Sequence, residues 1–225
     1  LEDGLSPPSR PRLPTLPPGP FFPMVRPVLA VLAMICLPTA CRQAPPPEAA
    51  VPSPEAQEAA VTAGRRAAGA LRGALFTQLQ AALAGGDPVK AVKVCSLSAE
   101  VVTRASVASE EGIEIRRTTT RPRNPSNAPD DLDREVLTAL AGHPPGERPD
   151  EVLRWTDTHF RFYQPLVMQG LCLRCHGDPE SFSTELREIL TTSYPDDQAT
   201  GYRIGDFRGA IRVDLPRTDS RTAAP

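Results

Sequence analysis

The sequence has no excess of charge of either sign. It carries 25 Lys and Arg residues against 27 Asp and Glu residues, for a formal net charge of −2. Binding to nucleic acid through phosphates usually requires a surplus of Lys and Arg on one surface. The composition therefore gives no support for a nucleic-acid partner, and no internal repeat is visible.

Cysteine and histidine are also scarce, with 5 and 3 residues in 225. Beyond residue 41 they comprise one close group and three isolated residues, Cys95, His143 and His159, none of which forms a second close pair. A structural zinc ion takes four ligands at suitable spacing, and a thioredoxin-like dithiol needs a βαβ setting. Zinc and a dithiol thus remain as alternatives for the close group, without further support.

The close group is Cys172-Leu173-Arg174-Cys175-His176, a C-x-x-C-H motif. At this spacing two thiols can add to the two vinyl groups of one haem while the adjacent imidazole ligates the iron. The motif therefore predicts one covalent haem c, held by Cys172 and Cys175, with His176 as a metal ligand. It does not name the second axial ligand.

The first part of the chain is rich in proline, with 15 of the 27 Pro residues before residue 55. Residues 1–23 precede the first Met and are interpreted as a translated upstream region or a start-site error, outside the fold. Residues 24–40 are predicted to be a signal peptide. Arg26 supplies its positive charge, and residues 28–37 form an apolar run too short to span a bilayer comfortably.

The segment Thr39-Ala40-Cys41 resembles a bacterial lipoprotein processing site, in which Cys41 becomes the lipidated first residue. Because Pro38 stands where an aliphatic residue is usual, a plain signal peptide cut after Ala40 or further on remains the alternative. Residues 41–60 are predicted to be a lipid anchor and a Pro/Ala-rich tether. We therefore expect an exported, membrane-anchored lipoprotein on the periplasmic side, which agrees with haem c attachment outside the cytoplasm.

Residues 61–217 remain as one domain, followed by a disordered tail at 218–225. Apolar residues at every fourth position, ended by Gly85-Gly86, predict a long amphipathic helix. They are Ala67, Leu71, Leu75, Leu79 and Leu83. A second helix is predicted from Pro88 to about Ala105, with Cys95 on its apolar face.

Alternation of apolar and polar residues predicts strands around Ile113–Ile115, within Val152–Met168 and over Phe207–Leu215. Short helices are predicted around Leu132–Leu140, which Gly142 ends, and over Ser183–Leu190. Helices followed by strands with short helices between them favour an α+β fold with an antiparallel sheet.

Several separated segments together resemble one family, the PAS-like single-haem c-type domain, found in exported proteins and in the sensory part of some histidine kinases. The resemblance covers about residues 61–215. The segments that carry it, in order, are Ala91–Ser96, Ile115–Thr118, Arg123–Pro129, Leu171–Gly177, Pro195–Tyr202, Gly205-Asp206 and Arg208–Ala210.

The resemblance implies a PAS-like antiparallel sheet with long N-terminal helices, and an iron with His and Cys as axial ligands. Cys95 occupies the position of that Cys, so the resemblance implies that His176 and Cys95 are the metal ligands. From the residues alone, Cys95 is equally a small buried side chain. Met168, His159 and His143 remain as competing ligands.

One or two of four arginines are candidates to hold the haem propionates through charge-assisted hydrogen bonds: Arg116, Arg117, Arg121 and Arg123. The alternative is a solvated basic edge. Arg116 and Arg117 point to opposite faces if they lie on a strand, so at most one of these two should face the haem. The Pro195–Tyr202 segment is predicted to form a turn, with no assigned chemistry.

The function expected from these features is low-potential electron transfer or redox sensing, through an unidentified redox or signalling protein partner. Thiolate donation favours ferric iron and lowers the reduction potential. The alternative is NO or CO sensing, with Cys95 detaching from the iron. A haem reductase or peroxidase is less favoured than a carrier or sensor, because the apolar face around Cys95 offers no general acid or base.

Overall fold

The computed structural model describes residues 50–86, 88–93, 103 and 112–217. The predicted leader, signal peptide, Cys41, Cys95 and the tail at 218–225 all lie outside these ranges. The described part is an α+β fold with one four-stranded antiparallel sheet in the order β1-β4-β3-β2, which confirms the predicted α+β class with an antiparallel sheet. Its strands are β1 (Glu114–Thr118), β2 (Val152–Trp155), β3 (His159–Val167) and β4 (Phe207–Pro216).

Helix α1 (Pro54–Leu83) is longer than its apolar spacing predicts. Ser53 starts it, because the Ser53 side chain accepts a hydrogen bond from the backbone N–H of Ala56 at 3.2 Å and Pro54 occupies the first helical position. The helix thus begins inside the segment that composition assigns to a tether, and Ala60 is already buried. It ends before Gly85-Gly86, as predicted.

Helix α2 (Pro88–Lys93) begins at the predicted proline, and Ala91 and Val92 are buried. The predicted continuation to about Ala105 lies outside the described residues, except for Thr103, which is helical and buried. Within the ranges described, no helix is both long and apolar enough to cross a bilayer.

The sheet places β4 at its centre, paired with β1 on one side and β3 on the other. Successive side chains of a strand alternate between faces. One face therefore packs Phe162, Ile211 and Val213 against Ala68 and Leu71 of α1. At Gly64 this contact is very close, since an added Cβ would lie 2.3 Å from Cγ of Phe162.

The opposite face packs against α3 (Asp131–Ala141), the helix predicted from its apolar spacing and ended at Gly142. Asp130 and Asp133 form a capping box at its start. Asp133 is completely buried, and accepts hydrogen bonds from the hydroxyls of Thr118 at 3.1 Å and Tyr163 at 2.8 Å.

Two arginines complete a buried ionic network on this α3 side of the sheet. Arg212 lies 3.0 Å from a carboxylate oxygen of Asp133 and 2.8 Å from one of Asp214. Arg161 lies 2.8 Å from Asp130 and 3.2 Å from Asp214. Buried charges are tolerated when they are paired in this way.

Candidate haem site

A cavity of about 750 Å³ lies between the second half of α1, helix α2, one end of the sheet and the C-x-x-C-H segment. Most of its lining is apolar. The principal aliphatic and aromatic lining residues are Leu75, Phe76, Leu79, Leu83, Ala91, Val92, Leu166, Val167, Leu171 and Ile211. Among the described lining residues none is Asp or Glu.

The C-x-x-C-H residues form a compact turn at the edge of this cavity. Cys172 ends a 3-10 turn (Gly170–Cys172), and a short helix, α4 (Leu173–His176), follows directly. Cys172 and Cys175 are half-buried and form no disulfide, and both line the cavity together with His176. Gly177 follows this helix directly. A larger residue would be crowded there, because a Cβ would lie 2.6 Å from the carbonyl oxygen of Leu173.

The ring of His176 is held in one orientation by a backbone acceptor. Its Nδ1 lies 2.6 Å from the carbonyl oxygen of Ala199. Since a carbonyl only accepts, Nδ1 must carry the proton, and Nε2 keeps its lone pair for a metal. The ring also meets Tyr202 edge to face, with centroids 6.4 Å apart and planes at 81°.

His176 is also kept neutral. Burial, followed by the positive charges of Arg123 and Arg208, lowers its pKa to about 3, although the bond to Ala199 acts in the opposite direction. Only the neutral imidazole offers a lone pair to a metal ion, so the site is prepared for ligation at neutral pH.

The loop after α5 (Thr184–Ser193) is hydrogen-bonded to this turn. The backbone N–H groups of Gly201 and Tyr202 donate to the carbonyl oxygens of Gly177 and His176, at 2.7 and 2.9 Å. The Pro195–Tyr202 segment, for which the sequence predicts only a turn, therefore lies directly against the C-x-x-C-H residues. Ala199 contributes its backbone carbonyl oxygen. Every residue has such a group, so the amino-acid sequence does not identify Ala199 as part of the site.

The two candidate arginines on β1 occupy different places. Arg116 donates to the carbonyl oxygens of Ser126 at 2.9 Å and Ala128 at 2.8 Å. Arg117 lines the cavity, and so does Arg208, a residue absent from the sequence-based candidates. Arg208 also lies over the ring of Tyr202, with its Cζ 5.6 Å from the centroid.

The three alternative candidates for an iron ligand lie in different places relative to the cavity. Met168 is only 2% exposed and lines the cavity, but it packs against Ala199 and Tyr202, on the same side as His176. His143 and His159 are exposed and do not line the cavity, and Nδ1 of His159 lies 2.8 Å from the hydroxyl of Thr158. In the part of the chain described, no three His, Cys, Asp or Glu side chains are grouped to hold a metal ion.

Comparisons with known proteins give one family and one fold. A family model, the Tll0287-like family, matches residues 43–216. The crystal structure of the cyanobacterial haem protein Tll0287 matches with a TM-score of 0.53 and 23% sequence identity, covering 74% of this chain and 98% of that chain. At this identity the structural match shows a shared fold. No curated protein matches the chain.

Proposed function

The chain belongs to the Tll0287-like family, and from this membership and the geometry of the site we propose that it binds one haem c covalently. Cys172 and Cys175 would carry the thioether bonds, and His176 would ligate the iron. The observation that carries the proposal is the arrangement around His176: a neutral imidazole, fixed through Nδ1, with two thiols on the wall of the same cavity.

The remaining lining suits the two chemical halves of a haem. The apolar side chains of α1 and α2 suit the porphyrin ring. Arg117 and Arg208 suit the propionates, because guanidinium groups bind carboxylates through charge-assisted hydrogen bonds. Of the two candidate arginines on β1, only Arg117 lies on the cavity, and Arg208 replaces Arg116 in this proposal.

Cys95 is proposed as the second iron ligand, as the family resemblance implies. It follows Val92 by three residues and Ala91 by four, and both of these line the cavity. In a continuing helix that spacing places Cys95 on their face. Met168 is a weaker candidate, because it packs on the side of His176.

A bound haem would supply one-electron chemistry, and a His and thiolate ligand pair favours its ferric state. We therefore propose low-potential electron transfer or redox sensing in a PAS-like domain. The absence of Asp and Glu from the described lining favours a carrier or sensor over a haem enzyme that needs a carboxylate acid or base.

The cellular setting proposed with this function is export to the periplasmic side and anchoring through a lipidated Cys41. Attachment of haem c outside the cytoplasm supports it. A redox or signalling protein would then be the partner. Cys41→Ser should release the protein from the membrane or block its maturation, and a wild-type N-terminus beyond residue 41 would contradict lipidation.

The haem itself is tested with the full chain produced in a host that matures haem c. After denaturation the wild-type protein should retain its haem, with the pyridine haemochrome of two thioether bonds. Cys172→Ala with Cys175→Ala should lose covalent haem. Haem that extracts from the denatured wild type, or no haem, contradicts the proposal.

Optical spectra of oxidised and reduced protein, with and without CO, then test the ligands. Cys95→Ala should convert a low-spin ferric spectrum to a high-spin or differently ligated one and open the iron to CO. CO binding to the reduced wild type would instead favour gas sensing. An unchanged low-spin spectrum in Cys95→Ala would exclude Cys95 as the ligand.

A further inference from the structure

We infer that the ion pair between Arg123 and Asp197 positions His176, and that this is the task of the Pro195–Tyr202 segment. The inference rests on the proposed role of His176 as an iron ligand. It concerns two residues that touch neither the thiols nor the ligating nitrogen. Nε of Arg123 lies 2.9 Å from Oδ2 of Asp197, with both side chains nearly buried at 12% and 10% exposure.

Together the two partners of this pair hold both sides of the His176 hydrogen bond. Asp197 Oδ1 accepts the backbone N–H of Ala199 at 2.8 Å, which fixes the peptide next to the carbonyl that receives Nδ1–H of His176. Arg123 Nη2 donates to the carbonyl oxygen of Cys175 at 2.5 Å, within the short helix α4 that carries His176. The same nitrogen makes a longer contact, 3.4 Å, with the carbonyl oxygen of Ala199.

The contacts form a closed circuit from Cys175 through Arg123 and Asp197 to Ala199, and back to His176. Three segments far apart in the sequence are joined: residue 123, residues 175–176 and residues 197–199. The second nitrogen of a ligating imidazole sets both ring orientation and ligand basicity through its hydrogen bond. A circuit that fixes donor and acceptor together therefore controls how strongly His176 donates to iron.

A purely electrostatic role for these residues predicts a different result from a positioning role. Asp197→Asn removes a negative charge near the site, whereas Arg123→Gln removes a positive one. Through charge alone, the two changes shift the ratio of reduced to oxidised haem in opposite directions. Through positioning, both weaken donation by His176, favour the ferrous state, and shift the ratio in the same direction.

The experiment measures the reduction potential and ferric spectrum of the full, haem-loaded chain. Asp197→Asn and Arg123→Gln should each raise the reduced-to-oxidised ratio at fixed potential by about three- to tenfold, somewhat less than the loss typical of direct partners of a metal ligand. The matched control is Asp196→Asn, an exposed neighbour, which should stay within about twofold because solvent and salt screen its charge.

Arg123→Lys supplies a second, charge-neutral test. An ammonium group cannot reproduce the fork that reaches Asp197 and Cys175 together, so this variant should shift the ratio in the same direction by about twofold or more. If Asp197→Asn does not fold, the Arg123→Lys variant alone tests the inference.

Three results would overturn the inference. They are opposite shifts in Asp197→Asn and Arg123→Gln, equal behaviour of Asp197→Asn and Asp196→Asn, and an unchanged Arg123→Lys. All three leave the thioether-linked haem in place, so they are distinct from failure of the proposed function, in which the wild-type chain itself carries no covalent haem.

Discussion

Arg161 and Arg212, on the α3 side of the sheet, have carboxylate partners that Arg208, on the cavity side, lacks within the described ranges. On the α3 side, Arg161 and Arg212 each contact at least two carboxylates from Asp130, Asp133 and Asp214. On the cavity side, Arg208 forms no ion pair with any residue in the described ranges, and donates only to the hydroxyl of Thr119 and the carbonyl oxygen of Arg121.

This difference separates charges that neutralise one another from a charge that is available to bind an anion. Burial, together with repulsion from Arg123 and Arg117, lowers the pKa of Arg208 even though Tyr202 acts against the shift. A cationic group held at that cost creates a positive potential in the cavity. The α3 side instead neutralises its own charges, so it attracts no further anion.

The largest test of the comparison removes the acid at the centre of the α3 side. Asp133→Ala leaves the buried hydroxyls of Thr118 and Tyr163 without their acceptor and removes one of the carboxylates that pair with Arg212. It should lower the free energy of unfolding by about 3–5 kcal/mol. Urea unfolding measures this. The exposed Glu135→Ala on the same helix is the matched control, and equal losses in both variants would contradict a specific role for Asp133.

A second test contrasts the closed and open parts of helix α1. Gly64→Ala should cost about 1–3 kcal/mol, because its methyl group would collide with Phe162. Gly73 lines the cavity, and an added Cβ there meets no atom within 4 Å. Gly73→Ala should therefore stabilise the haem-free chain by up to about 1 kcal/mol through helix propensity. Equal destabilisation by both would show that no cavity separates α1 from the sheet at Gly73.

The two sides should also lose stability in different pH windows. The pKa of His176 falls from 6.5 to about 3 on folding. Between these values the unfolded chain binds more protons, so the haem-free protein should lose up to about 1.4 kcal/mol per unit as the pH falls from 6.5 towards 3. His176→Gln should flatten this slope in acid titrations of the unfolding free energy. A slope unchanged in the variant would assign it to other groups.

On the α3 side the corresponding loss begins only at lower pH. Burial raises the pKa of Asp130, but the backbone N–H of Asp133 and the charges of Arg161 and Arg212 outweigh it, so the net pKa is lowered. Its stabilising contribution is therefore present above pH 3.8 and is lost as the pH falls further.

The smallest effect on stability is expected at Arg208. Arg208→Met removes hydrogen bonds to two neutral acceptors but also removes a repelled, partly buried cation. The free energy of unfolding of the haem-free chain should change by less than about 1 kcal/mol. In haem-loaded protein the same change should lower the reduction potential, because a positive charge near the propionates is lost. A loss of stability as large as that of Asp133→Ala would erase the distinction between the two sides.

Local signals predicted the elements well. Pro88 located the start of α2, and apolar spacing with Gly142 located α3 and its end. Alternation located the strands within Val152–Met168 and Phe207–Leu215. The start of α1 was placed too late, because its first turns carry mostly Ala and Glu, which resemble a tether in composition. The cap at Ser53 was the available signal.

The sequence predicted only those parts of the candidate site in which the side chain itself carries the chemistry. Cys172, Cys175 and His176 form a motif, and the structure brings all three to one cavity. Ala199 contributes a carbonyl oxygen, and Arg123 is separated from Asp197 by 74 residues. Contacts of this kind depend on the tertiary fold, so periodicity and motif spacing do not reveal them. The role of Cys95 stays a prediction.

The position of β4 has a consequence for the order in which the protein is made. Of the four described strands β4 is the last to leave the ribosome, yet β1 and β3 both pair with it. At synthesis rates of about 5–20 residues per second, several seconds pass between the synthesis of β1 and that of β4. β4 is the only strand that pairs with β1 in the described sheet. The C-x-x-C-H segment emerges before β4, and therefore before the sheet beside the cavity can close. A chain cut just before Phe207 would lose the pairing of both neighbouring strands while retaining every residue of the haem motif.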